Sequence, residues 1–428
     1  MSRPGPLPSL AGTGRFSYHP AMKIWIKLLT GAALGITLGF FLPEDSAALR
    51  ETLAWLGGIA VNAGRYALIP PLFFSLAAGI YELRQERRFW PLTLYTAAFM
   101  AAGTVLIIVL GIAVTLIFQP GPVPIQIEEQ AGDIALAVRG SIAGLLPANA
   151  FSALVNSGDY LLPLCLFAFF LGLGLSHERL HAKPVLALLD SLSRVFYHVI
   201  IFFSEMLSLV LIVLAAYWAV RFRGVFPGEK FRDLVVLLGV FSLTVGFGVF
   251  PLLLYFLKPR PNPWKALYAL LGPALAAFFS GDINFSLPVL MRHEKENLGV
   301  KRRVNTFTLS LFSAFGRAGS AAIAAMAFIV IIKSYSSLEV TAADLLFIAL
   351  RSFGIAFLLA RRPGDGAFAA LAVLCAGYDP SGYLILKPLA FYLVACGTFL
   401  DVMFSAFSSY ALARMTGLAA EREARNFI

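Results

Sequence analysis

The chain has 428 residues, of which 59% are apolar and 14% are charged, whereas charged residues make up roughly 25% of an average soluble domain. Residues 89–127 contain no Asp, Glu, Lys or Arg, and this stretch exceeds the roughly 20 apolar residues that cross a bilayer. The composition therefore excludes a string of soluble domains and predicts one integral membrane domain. The net charge of +10 indicates membrane topology and attraction to anionic lipid, not nucleic-acid binding.

Ten apolar segments follow one another along the chain. They lie at about 24–43, 53–81, 89–118, 160–176, 193–220, 233–257, 266–291, 305–332, 342–376 and 383–413. Lys and Arg concentrate before the first segment and in the loops after segments two, four and six. Those parts are therefore predicted to be cytoplasmic, and the first six segments to cross in alternation. The loop after segment five is an exception, because it carries Arg221, Arg223, Lys230 and Arg232 on the predicted outer side.

Segments seven and nine are each interrupted in the middle. Segment seven contains the polar stretch 279–286 and has basic residues on both sides, so it is predicted to enter the membrane and return to the same face. Segment nine is broken at 358–366, where Pro363 and two glycines disfavour a continuous helix. Because lipid cannot satisfy broken backbone, both tips are predicted to be buried in protein or to line a watery cavity. The alternative is two ordinary spans kinked at Pro and Gly.

Each interrupted segment is followed by a segment long enough to span, at 305–332 and 383–413. A hairpin from the inside plus a span, repeated as a hairpin from the outside plus a span, is an inverted repeat. In secondary transporters this pattern points to the substrate site.

Several motifs occur in the order and at the spacing of one transporter family. They are IPPLFFS at 69–75, FQPG at 118–121, LPAN at 146–149, LPVLMR at 287–292 with ENLGV at 296–300, PGDG at 363–366 and FLD at 399–401. These motifs resemble those of the dicarboxylate/amino acid:cation symporters, the glutamate-transporter homologues. The resemblance covers nearly the whole chain. The protein is therefore identified as a divergent member of that family.

The resemblance implies an all-α integral membrane fold of eight transmembrane helices plus two re-entrant helical hairpins, working as an elevator. Residues 23–257 would form mainly the scaffold of a homotrimer, with spans three and six able to move with the transport domain. Residues 258–414 would form the core of that transport domain, from hairpin 1, span seven, hairpin 2 and span eight. Residues 1–22 and 415–428 are predicted to be cytoplasmic tails, in a protein of the cell inner membrane.

The resemblance also implies a substrate site at the hairpin tips and in spans seven and eight. The corresponding positions are Asp282, Asn284, Arg317, Ser320, Arg361, Asp365, Asp401, Phe404, Ser405 and Ser408. Asp401 aligns with the carboxylate that holds the amino group of an amino-acid substrate in the family. Phe404 replaces the Arg that reads an acidic substrate side chain, which favours a neutral amino acid, a differently held carboxylate or a larger, flatter solute.

The family's sodium site is altered in this chain. Ala318 and Leu412 stand where the family has acidic sodium ligands, and sodium needs oxygen ligands. Sodium coupling is therefore predicted to be reduced or replaced by protons, which a buried carboxyl can carry. The candidate coupling-ion groups are Asp401, Asp282 and the backbone at Gly316.

Arg317 has two interpretations, because a guanidinium within a span needs an anion, carbonyls or water. It either receives a substrate carboxylate or phosphate, or forms a permanent ion pair with Asp282 or Asp401. At the second tip, Arg361 and its neighbouring Arg either attract an anionic substrate or are solvated by water, and Asp365 pairs with one of them.

The sequence thus predicts a secondary active transporter, a symporter of a small polar or anionic solute such as an amino acid or carboxylate. The alternative is a non-transporting sensor or an ion-permeation protein on the same fold. No Walker motif, nucleophile elbow or metal-ligand spacing is present, so neither an enzyme nor a cofactor or metal is predicted. The expected partners are a small-molecule substrate, membrane lipid and two further copies of the chain.

Overall fold

The computed structural model describes residues 23–43, 46–123, 144–155, 158–177, 179–225, 231–257, 261–335 and 340–420. Within these ranges every regular element is a helix, and Val300 and Ala419 form an isolated β-bridge. The predicted tail at 1–22, and residues 421–428 of the predicted tail at 415–428, lie outside the described residues.

Within the described ranges, the helices up to residue 256 cover the places of the predicted spans one to six. They are α1 (Ile24–Phe41), α2 (Ala47–Gln85), α3 (Phe89–Phe118), the short α4 (Ser152–Val155), α5 (Leu162–His177), α6 (Arg179–Val225), α7 (Arg232–Thr244) and α8 (Phe250–Phe256), the last two joined by a π-helical turn at Val245–Val249. Seven helical stretches of the described chain are long and apolar enough to cross a membrane. The predicted all-helical, multi-pass architecture is confirmed, although α5, at the place of the fourth span, has only 16 residues.

Small residues hold α1 close to α6. Three glycines of α1 recur every four residues, at Gly31, Gly35 and Gly39. A Cβ at these positions would collide with the α6 backbone carbonyls of Ser208, Ile212 and Ala216, respectively. This is the small-residue packing common between membrane helices.

Both predicted interruptions are present. The first hairpin consists of α9 (Pro263–Ser280) and α10 (Ile283–Glu296), which lie against each other. The second consists of α13 (Ala342–Ala356) and α14 (Gly366–Cys375), connected through a short 3-10 turn at Leu359–Arg361. Neither pair is a continuous kinked helix, so the two predicted interruptions are confirmed.

Span seven differs from its prediction, because it is two helices and not one. Helix α11 (Arg302–Phe315) ends at Gly316, and α12 (Ala318–Tyr335) begins immediately after Arg317. The last span, α15 (Ala390–Met415), is preceded by a 3-10 helix at Gly382–Leu389. The sequence predicted an unbroken span at 305–332, a run that contains no proline to mark the break.

Spans seven and eight form the centre of the molecule. In the most apolar 18-residue stretch of each span, the buried share is 89% in Arg302–Tyr335 and 94% in Gly382–Met415. The corresponding share is 33% in α1 and 33% in α3. Polar groups on these two spans are therefore shielded from lipid by protein, which is the condition for placing charges at that depth.

Candidate functional site

The two hairpin tips meet beside span eight. The backbone N–H of Ile283 at the first tip donates to the carbonyl of Pro363 at the second, at 3.2 Å. The hydroxyl of Thr398 on α15 donates to the carbonyl of Gly281 at 3.0 Å. Gly281 has a φ of +63°, in the left-handed region that glycine adopts without strain. Broken backbone at the tips is therefore satisfied by protein, as the membrane environment requires.

Arg317 lies in the break of span seven and pairs with Asp401 of span eight. Its Nε donates to Asp401 Oδ2 at 2.8 Å, and both side chains are 0% exposed. Ser320 completes the cluster, because its backbone N–H donates to Oδ1 at 3.0 Å and its hydroxyl to Oδ2 at 2.6 Å. Asp401 is thus held by three donors, one from Arg317 in the break and two from Ser320 in the first turn of α12.

The rest of the Arg317 guanidinium faces the second hairpin tip. Its Nη2 lies 3.4 Å from the carbonyl of Arg362 and 3.5 Å from that of Pro363, and its Nη1 has no hydrogen-bond partner. A Cβ at Gly366 would collide with the guanidinium, so the glycine that starts α14 is needed for this approach. Of the two acids proposed from the sequence as partners, the structure places Asp401, and not Asp282, against Arg317.

Asp282 has a different partner, which the sequence reasoning missed. It caps α10 by accepting from the backbone N–H of Phe285 at 2.8 Å, and its other oxygen lies 2.5 Å from Arg65 Nη2 on α2. Arg65 also contacts Asp159, so one guanidinium bridges two acids. The available signal was a lone Arg in the middle of an apolar span, which is a functional candidate by default.

The remaining tip residues have local partners. Asp365 pairs with Arg362 at 3.0 Å, as one of the two sequence interpretations had it. Arg361 lies over the ring of Tyr160, 5.7 Å from its centroid. Asn284 is buried, and its amide lies 3.4 Å from the carbonyl oxygen of Gly158.

Residues 24–415 match the sodium:dicarboxylate symporter family. The chain belongs to this family. It is 24% identical over 319 residues to the proton/sodium-glutamate symport protein of Bacillus subtilis, which covers 72% of this chain and 71% of that protein. It is also 24% identical over 288 residues to the C4-dicarboxylate transport protein of Rhodospirillum rubrum, covering 64% of this chain and 56% of that protein.

A third relative, the C4-dicarboxylate transport protein of Geobacter sp. strain M21, is 24% identical over 305 residues, which covers 68% of this chain and 66% of that protein. The family and these relatives are transporters, so the prediction of a membrane transport protein and not an enzyme is confirmed. Among the residues that the structure describes, no cluster of His, Cys, Asp and Glu is arranged to hold a metal ion.

Three predicted site residues on span eight have contacts outside the Arg317–Asp401 ion pair. Ser405 donates its hydroxyl to the backbone carbonyl of Asp401, at 2.7 Å, and so serves its own helix. Phe404 packs edge-on against Phe312, with ring centroids 5.4 Å apart, and against Gly103 of α3, where a Cβ would collide with its ring. Phe404 and Ser408 line a separate apolar cavity of about 410 Å³. The structure therefore does not join them to the polar cluster at the tips.

Glu294 is a second buried residue that sequence reasoning did not single out. It lies on α10, where its Oε2 accepts from Ser409 of α15 at 2.8 Å and from Asn305 of α11 at 3.2 Å. Its Oε1 has no hydrogen-bond partner, and within the described chain no Lys or Arg pairs with it. The run 292–296 reads as a loop because all five residues are polar. Helical spacing from the apolar positions 287, 290 and 291 would have placed Glu294 on the buried face.

Proposed function

We propose that this protein is a secondary active transporter that carries a small carboxylate or amino acid across the membrane by symport. Family membership supports symport, and the relatives named for glutamate and C4-dicarboxylate transport support an anionic or zwitterionic solute. The observation that carries the proposal is the buried Arg317–Asp401 pair at the meeting point of three helix breaks. Discontinuous helices meeting at buried charges are typical of transporter substrate sites.

The proposed site can bind an anion without losing its internal pairing. Arg317 Nε is engaged by Asp401, but Nη1 has no partner and remains a charged donor for a substrate carboxylate oxygen. Asp401 in turn retains the two hydrogen bonds from Ser320. Asp282, Asn284, Arg361 and Asp365 surround the same tips and would shape entry to the site. Phe404, Ser405 and Ser408 would act on it only through the packing of span eight.

The proposed mechanism is an elevator movement of residues 258–414 against a scaffold formed mainly by residues 23–257, within a homotrimer. Hairpin 1 meets the scaffold through polar contacts, among them Arg65 with Asp282 and Arg292 with Glu205 at 3.2 Å. Ion pairs at a sliding surface can be replaced by contacts with water at a small free-energy cost, whereas closely interlocked apolar side chains oppose sliding. The cell inner membrane, with both termini cytoplasmic, is the proposed location.

The proposed coupling ion is a proton, with sodium coupling reduced. Ala318 and Leu412 are fully buried and offer no side-chain oxygen where the resembling family has acidic ligands. The two acids proposed from the sequence, Asp282 and Asp401, are each paired with an Arg in this conformation. Among the described residues of the transport core, Glu294 is a buried acid with no cation paired to it, so it joins them as a candidate proton carrier.

The test is uptake into proteoliposomes that contain the purified protein. Radiolabelled succinate, aspartate, glutamate and a neutral amino acid would be offered under an inward sodium gradient or an inward proton gradient. We expect uptake of a carboxylate driven by the proton gradient and strongly reduced in Asp401→Asn. The control, Glu51→Gln, removes an exposed acid from α2 and should transport normally.

A second candidate function is a non-transporting sensor or an ion-permeation protein on the same fold. It is favoured by the same pair, because Arg317 and Asp401 neutralise each other where a substrate and ions would otherwise bind. Absence of uptake for every solute under both gradients, with a correctly folded protein, would favour this alternative. Uptake that requires sodium would refute the proton proposal and preserve the transporter.

A further inference from the structure

A large cavity separates the scaffold from the two hairpin tips. Its volume is about 500 Å³, within the range of small-molecule sites. One wall is formed by α2 and α6, and the opposite wall by residues of hairpin 1, hairpin 2 and the start of α15. It lies beside the Arg317–Asp401 pair, but neither of those two residues lines it.

Most charged groups of this cavity are already compensated. Arg65 is bound by Asp282 and Asp159, and Asp365 is paired with Arg362. A ligand that bound to any of these groups would have to compete with an existing ion pair. These paired groups therefore make the cavity wall polar but provide no unpaired charge for a ligand.

Arg221 is the exception among the charged residues that line the cavity. No hydrogen bond or ion pair to another residue of the described chain engages its guanidinium. Instead the group lies over two lining rings, 4.8 Å from the centroid of Phe391 and 5.5 Å from that of Tyr217. A guanidinium that stacks on its faces keeps its N–H edge available, and that edge matches a carboxylate in two parallel hydrogen bonds.

The wall next to Arg221 is aromatic. Trp218, one helical turn before it, stacks on Phe222 with centroids 4.8 Å apart, and it contacts Phe278 at 5.3 Å and Phe391 at 5.9 Å. The indole Nε1 of Trp218 is buried without a hydrogen-bond partner. Such a wall favours an apolar or aromatic body over a short, fully hydrated dicarboxylate.

We propose that this cavity is a binding site for an organic anion that combines a carboxylate with an aromatic or similarly apolar body. Arg221 receives the carboxylate, and the rings of Trp218, Phe278 and Phe391 receive the body. The site is separate from the proposed substrate site at Arg317. The same residue accounts for part of the basic loop that breaks the charge rule after segment five, since Arg221 faces a cavity within the protein.

Occupancy of the cavity has a consequence that rests on the proposed function. The ligand touches the scaffold on one side and the hairpin tips on the other, so it stabilises the conformation seen in this structure, in which the cavity lies between the two surfaces. In an elevator transporter, such a ligand is an inhibitor of the sliding step. It would lower the rate of uptake without competing with the transported solute.

Binding is tested on the full-length purified protein by titration calorimetry and thermal shift, with 1-naphthylacetate as the probe. Its neutral analogue 1-naphthylacetamide tests the charge, and succinate tests the apolar body. We expect 1-naphthylacetate to bind and the amide to bind about tenfold or more weakly, because hydrogen bonds to charged groups are strong. Arg221→Gln should weaken the acid to a similar extent, and Arg221→Lys should weaken it less.

The matched control is Arg351→Gln. Arg351 also lies over a ring, Phe347, at 5.0 Å, but it does not line the cavity. This variant should bind 1-naphthylacetate like the wild type. Equal affinity of Arg221→Gln and wild type, equal affinity of acid and amide, or no binding up to millimolar concentration would each overturn the proposal. Binding that persists in a protein without transport would leave it intact while refuting the proposed function.

Discussion

The pair of Arg317 and Asp401 makes the sharpest prediction, because removing either partner leaves the other as a buried, uncompensated charge. Both side chains are 0% exposed and lie 2.8 Å apart. Breaking a buried pair from one side costs about 3–5 kcal/mol. Arg317→Met and Asp401→Asn should therefore each lower the stability of the purified protein strongly.

The double variant should be more stable than either single variant. With Arg317→Met and Asp401→Asn together, no unpaired charge remains, and the Asn oxygen still accepts from the N–H of Ser320. The principal losses are ordinary hydrogen bonds, at about 0.5–1.5 kcal/mol each. The coupling energy between the two positions should accordingly be at least about 2 kcal/mol.

Thermal unfolding in detergent, followed by intrinsic fluorescence, ranks the four proteins of this cycle. Arg194→Met provides a control for the substitution itself, since Arg194 forms an exposed pair with Asp190 and such pairs contribute roughly 0–1 kcal/mol. Additive losses in the double variant would refute the reasoning, because they would show that the two groups are not compensating each other in the folded protein. Single variants as stable as the control would refute it equally.

Three further perturbations test the other contacts. Gly35→Leu forces a side chain into the α6 backbone and should lower the free energy of unfolding by about 1–3 kcal/mol, measured by thermal unfolding. Gly174→Leu is the control, because Gly174 lies at an open position, and it should leave the stability unchanged. Equal effects of the two substitutions would contradict close packing of α1. Arg65→Gln removes the partner of the first hairpin tip, so a cysteine placed at Ser280 should react faster with a maleimide, and unchanged labelling would show that this bridge does not restrain the tip. Glu294→Gln should leave thermal stability nearly unchanged and reduce proton-driven uptake, and uptake at the wild-type rate would exclude Glu294 as the carrier.

The sequence by itself determined the helical architecture and the two hairpin interruptions. These features depend on local properties: the length of an apolar run, the position of Pro and Gly, and the inability of lipid to satisfy broken backbone. The segments predicted at 89–118 and 342–376 coincide closely with α3 and with the second hairpin. The four-residue glycine repeat on α1 is a local feature of the same kind, because close helix approach is encoded on one face of one helix.

Only the tertiary structure decided which charged groups compensate each other. Arg317 and Asp401 are 84 positions apart, and Arg65 and Asp282 are 217 apart, so no local pattern could choose between the candidate partners. The same holds for Phe404, which motif alignment placed in the substrate site but which packs against α3. Pairing and packing across such distances depend on how the helices are arranged around one another, because in a water-poor interior each charge is stabilised only by the groups that the fold brings to it.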